Sequence, residues 1–75
     1  VALEWRPYNS HGTRSKVREI VTRGAVEYEL CLEGGSYVIR RTDRHRSAVK
    51  VHETARGLYR HTMDVWALIV SGAEA

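Results

Sequence analysis

Val26-Glu27-Tyr28-Glu29-Leu30-Cys31-Leu32-Glu33-Gly34-Gly35-Ser36-Tyr37-Val38-Ile39-Arg40 is the stretch whose reading decides the fold. Val26, Tyr28, Leu30 and Leu32 alternate with Glu27, Glu29, Cys31 and Glu33, the period of two that a half-buried strand requires. Gly34-Gly35 supplies both positive-φ positions of a two-residue hairpin turn. Folding about that turn sets Leu32 opposite Tyr37 and Leu30 opposite Ile39 on one face. Cys31 then meets Val38, and Glu29 meets Arg40, on the other.

Upstream, Arg23-Gly24 reads as a second tight turn, with Val21 opposite Val26 and Val17 opposite Leu30. Arg18 then falls opposite Glu29, and three strands share a charge row, Arg18–Glu29–Arg40. Such cross-strand pairs contribute about 0.2–1 kcal/mol each. Downstream, Arg40–Arg46 reads as a basic connector, and Ser47–His52 as a fourth strand with Val49 and Val51 inward. Thr54 is the expected N-cap of a helix from Ala55 to Val70, stopped by Gly72. Its apolar stripe is Ala55, Leu58, Tyr59, Thr62, Val65, Trp66, Ile69 and Val70. Residues 1–15 form an N-terminal edge segment in which Trp5 and Tyr8 flank Pro7, and residues 16–75 form a single small domain. The expected class is α+β: a three- or four-stranded antiparallel meander with one C-terminal helix packed on one face.

The 75 residues, 43% hydrophobic, leave room for one domain with a small core. No run approaches the roughly 18 apolar residues of a membrane span, and Val1–Arg6 lack the basic and apolar regions of a secretory leader. Cys31, the single cysteine, permits no internal disulfide and points to a reducing, cytoplasmic setting. Lys and Arg total 12 against 9 acids, a net charge of +3, and only Lys16 and Lys50 are lysines. So strong an arginine bias is what a GC-rich genome encodes, although Arg is also the better bidentate partner for phosphate or carboxylate.

Motifs for catalysis fail one by one. His52-Glu53 opens like a zinc-protease helix, but Arg56 stands where the second histidine is required. His45, His52, His61 and Cys31 lack the short spacings of a metal site. No His–Asp pair is placed to activate Cys31, and Gly34-Gly35 is a hairpin turn without the phosphate-loop pattern. Glu27 and Glu29 read as members of an ion-pair ladder. The expectation is a non-enzymatic binding module with no cofactor and no metal.

Two surface features remain. Arg40, Arg41, Arg44, His45 and Arg46, with Asp43 as their one acid, form a cluster able to neutralise several phosphates. Nucleic acid is therefore the leading expected partner, with Arg56 and Arg60 of the polar helix side as secondary contacts. The sheet face itself is disfavoured, because Glu27, Glu29 and Glu33 would be exposed there and repel phosphate. The second feature is the helix end, where Ala67, Leu68, Ile69 and Val70 are apolar all round. A protein partner or a homodimer at those residues is the alternative expectation; no membrane contact is expected.

Overall fold

The computed structural model describes residues 3–10, 14–45 and 48–73. Five strands, β1 (Arg6–Pro7), β2 (Ser15–Arg23), β3 (Val26–Glu33), β4 (Ser36–His45) and β5 (Ala48–Gly57), precede one helix, α1 (Tyr59–Ser71). They form one antiparallel sheet in the order β1-β5-β4-β3-β2. The α+β class and the C-terminal helix match the reading of the sequence. The strand number does not: β1 adds a fifth strand at the edge, with Arg6 opposite Glu53 and Pro7 opposite His52. Two residues carry too short a period to be seen in sequence.

The central hairpin has the expected register, including Leu30 opposite Ile39 and Glu29 opposite Arg40. Gly34 and Gly35 both take positive φ, 55° and 84°, which only glycine adopts without strain. The preceding hairpin turns one residue later than expected, through Gly24-Ala25. Gly24 thereby occupies the position of positive φ, 61°, instead of forcing Arg23 there. Val21 therefore faces Tyr28, and Ile20 faces Glu29. A bulge between Val17 and Glu19 takes Arg18 out of the ladder, so the Arg18–Glu29–Arg40 row does not form. The charge row runs the other way, Glu29–Arg40–Glu53–Arg6 across β3, β4, β5 and β1.

One face of the sheet carries Tyr28, Leu30 and Ile39, on which α1 lays Trp66 and Ile69 to complete the core. Burying each such side chain is worth about 1.5–3 kcal/mol. The expected helix stripe is too long at both ends. Leu58 and Tyr59 are exposed, Leu58 by 83%, because the helix begins four residues later than Ala55 and leaves the sheet at that point.

The late start traces to β5, which continues to Gly57 where a helix was expected. Ile39 pairs with Thr54 but Tyr37 pairs with Gly57, so β5 holds one extra residue there. Ala55 at this bulge has φ 54°, left-handed for a residue with a Cβ. Thr54 is thus a buried strand residue rather than an N-cap. Leu58 occupies the N-cap position and has no side-chain cap. The fully buried Thr62 instead ties the first turn back to β5 from inside the helix. Its hydroxyl donates to the Ala55 carbonyl at 2.7 Å, with the Leu58 carbonyl also in reach at 3.1 Å.

Ala55→Val, which places a β-branched residue at positive φ, is expected to cost about 1–3 kcal/mol in urea unfolding. Thr62→Val should cost a similar ~1–3 kcal/mol by leaving the Ala55 carbonyl unpaired. The double variant should lose less than the sum, because both changes act on one contact.

Candidate functional site

The basic cluster is not a connector. β4 pairs with β3 as far as Asp43 and with β5 as far as His45, so Arg40–His45 is strand and its side chains alternate between faces. Arg40 lies on the face away from the helix, 3.3 Å from Glu29 and over the Tyr8 ring at 5.2 Å. Arg41 lies on the helix face, 3.3 Å from Asp43 and over the Trp5 ring at 4.6 Å. Both are committed inside the molecule. Arg44 is different: its side chain is 57% exposed, with Glu27 at 3.7 Å. His45 is exposed as well. Arg46 lies outside the described residues. The four described candidates are thus divided between the two faces.

The sheet face opposite the helix holds a group of residues that the sequence reading missed. Glu33 and Glu53, at 3% and 4% exposure, are buried there; Glu33 was expected on an open face. Arg56 reaches both, its Nε to Glu53 at 2.7 Å and its Nη1 to Glu33 at 3.1 Å. Its Nη2 donates to the Asn9 carbonyl and to Glu53. The Tyr8 hydroxyl donates to Glu33, and the Asn9 amide donates to Glu53 at 3.0 Å. Residues 8–9 are therefore strapped across this face by two carboxylates and one guanidinium. The bulge makes the arrangement possible, since unbroken alternation would have sent Arg56 to the face opposite Glu53.

Burial alone would raise the Glu33 pKa. Hydrogen bonds from Tyr8, Arg56 and Ser15, together with the Arg56 charge, outweigh it and hold the carboxyl below its ordinary value of 4.5. Arg56 is driven further toward its protonated form, chiefly by its hydrogen bond to Glu53. Beside the strap an open cleft of about 780 Å³ is bordered by Arg6, Asn9, Glu53, Arg56, His61 and Val65. Cys31 is fully buried, and that burial raises its thiol pKa. No group of three or more His, Cys, Asp or Glu among the described residues is disposed to hold a metal ion.

The apolar helix end is also divided. Ile69 is fully buried in the core, Leu68 is half-buried, and Ala67 and Val70 are exposed. Arg23 donates to the Val70 carbonyl at 3.0 Å and ties this end of α1 to β2. Gly72, in the left-handed conformation, ends the helix as expected. No helix is long and apolar enough to cross a membrane among the described residues.

Comparison with protein-family models, curated proteins and solved structures gives no match for this chain.

A carboxylate with a depressed pKa stabilises the fold above its unfolded value, and that stability is lost as pH falls through the lower folded value. Stability is thus expected to drop as pH falls below 4.5. Glu33→Gln should lower stability at neutral pH and flatten this acid slope, read from urea midpoints between about pH 6 and pH 3. An unchanged slope would mean that Glu33 does not couple the strap to the sheet.

Proposed function

We propose that this protein is a small non-enzymatic binding module that takes nucleic acid at the paired end of β4 and β5. Arg44, His45 and Arg46 make the phosphate contacts, joined by Lys50. The observation that carries this reading is the division of the arginines. Arg40 and Arg41 are held by Glu29 and Asp43, whereas Arg44, His45 and Lys50 are exposed. The Arg44 amide still donates to the Ala25 carbonyl just before β3, at 2.9 Å, and from His45 the β4–β5 ribbon runs past its neighbour. A two-stranded ribbon has the width the DNA major groove admits, and phosphate contacts alone fix its register on a duplex or a single strand. Of the acids that weigh against the sheet face, Glu33 is enclosed by Arg56 and Glu29 is held by Arg40, while Glu27 lies 3.7 Å from Arg44 and leaves the Arg44 side chain 57% exposed.

Elution from immobilised DNA and RNA across a salt gradient tests the reading. Replacing Arg44, Arg46 and Lys50 with Ala should weaken binding and flatten the salt dependence by up to about 0.9 per lost contact. Arg40→Ala should leave that slope unchanged and lower stability instead, since it strips Glu29 of its partner. Absence of salt-dependent binding at low ionic strength would reject nucleic acid as the partner.

A further inference from the structure

We propose a second binding surface on the opposite edge of the sheet. β2 and the groove between it and α1 take an extended acidic peptide segment of a partner protein as a sixth strand.

The two edges of the sheet are treated differently. At one, β1 covers part of β5, and the Tyr8 amide extends the pairing to the Val51 carbonyl at 3.0 Å. At the other, β2 runs for nine residues with no strand beyond it among the described residues, so its alternate N–H and C=O groups face outward without a ladder partner among them. From Glu19 to Arg23 its register with β3 is unbroken, and the outward groups are regularly spaced there.

Charge decides the occupant. β2 and the residue before it carry Arg14, Lys16, Arg18 and Arg23 against Glu19 alone. Arg14, Lys16 and Arg18 form no ion pair among the described residues. Pairing β2 with a second copy of itself would bring two such basic strands together, which like-charge repulsion opposes. Cationic side chains and a bulge also guard an edge against indiscriminate pairing. An acidic strand is the partner that turns this guard into attraction.

The groove supplies the side-chain pocket that strand addition uses for specificity. Arg23 ties the C-terminal end of α1 to β2, while the start of the helix meets β4 through Tyr59 and Tyr37 and β5 through Thr62 and Ala55. A cavity of about 190 Å³ lies in the opening, lined by Arg18, Glu19, Leu30, Tyr37, Tyr59 and Met63. The Tyr37 and Tyr59 rings meet edge to face at 5.2 Å and form one wall. The space suits one apolar side chain. On the other face of β2, Ile20 is 55% exposed and Val17 is also exposed, offering contact to apolar residues at alternate positions of the added strand.

The probe follows from these faces: a short labelled peptide in which valine alternates with glutamate, one central glutamate position being leucine. Saturable binding should appear in fluorescence polarisation, with amide shifts in NMR on β2, Tyr59 and Met63. Lys16→Glu with Arg18→Glu, both exposed, should weaken it by about tenfold or more. N-methylation of the peptide backbone at alternate residues should abolish binding in one of the two phases, because one phase carries the donors. Equal binding of a lysine-for-glutamate peptide, or of both methylated forms, would overturn the proposal. So would β2 amides already protected in a dimer of the free protein, or DNA shifting β2 in place of the peptide. Because Arg44, Arg46 and Lys50 take no part, their alanine variant should keep the peptide, which separates this result from the fate of the nucleic-acid reading.

Discussion

The extra residue in β5 is the constraint on which the other parts of the molecule depend. At Ala55 the chain takes a left-handed step, and three consequences follow within seven residues. Arg56 is delivered to the face that holds Glu53 and Glu33. The Ala55 carbonyl is presented to Thr62, which anchors the first turn of a helix that has no side-chain cap. The strand then reaches Gly57, so the helix starts in time to place Trp66 and Ile69, and not Tyr59, over Leu30 and Ile39. Left-handed backbone in a residue with a Cβ costs about 1–3 kcal/mol, and here it sits where the surrounding bonds hold it in place.

A small domain gains little from a sheet buried on one face only. Here the second face is closed by charge as well as by hydrocarbon. Cys31 and Val38 are fully buried on it, and the carboxylates that flank them are satisfied by Arg56, Tyr8 and Asn9. Breaking a buried pair by removing one partner is far costlier than never having made it. The strap is therefore expected to specify how the N-terminal segment crosses the sheet more than to add net stability. It also withdraws acids from the surface, leaving a basic β2 edge and a basic β4–β5 end around a chain whose formal net charge is only +3.

The legible parts of the fold were those governed by local rules. Alternation in β3 and the Gly34-Gly35 turn were sufficient for the central register, because each side chain's face follows from a period of two. Gly72 marked the helix end by the equally local rule that a helix stops at a left-handed glycine. The β2 register was misread by the choice between two adjacent turn residues, and a bulge such as that at Arg18 has no sequence marker when glycine is absent. The candidate site was less legible still. Arg40–His45 looks like a loop because it is polar. A strand whose charges are matched by neighbours is polar too, and the cross-strand partners, Glu29 of Arg40 and Glu27 of Arg44, become visible only once the register is known. Glu33 and Glu53 are twenty residues apart and are joined by Arg56 and by the strap of residues 8–9, so no spacing rule could have joined them.

The arginine bias takes on a different meaning with the contacts in view. Composition alone ascribes it to codon usage, under which lysine would serve as well at most positions. That holds for Arg14 and Arg18, which are exposed and make no ion pair among the described residues. It fails at Arg56, whose Nε, Nη1 and Nη2 serve two carboxylates and a backbone carbonyl at once, a planar fork that an ammonium cannot reproduce. It fails also at Arg40 and Arg41, whose flat guanidinium groups lie over Tyr8 and Trp5. Both lysines, Lys16 and Lys50, stand on exposed strand positions. The residue type therefore follows the work asked of the charge: where a cation must be partly buried and hold several partners it is arginine. Only on the two surfaces proposed for binding does a lysine stand in its place.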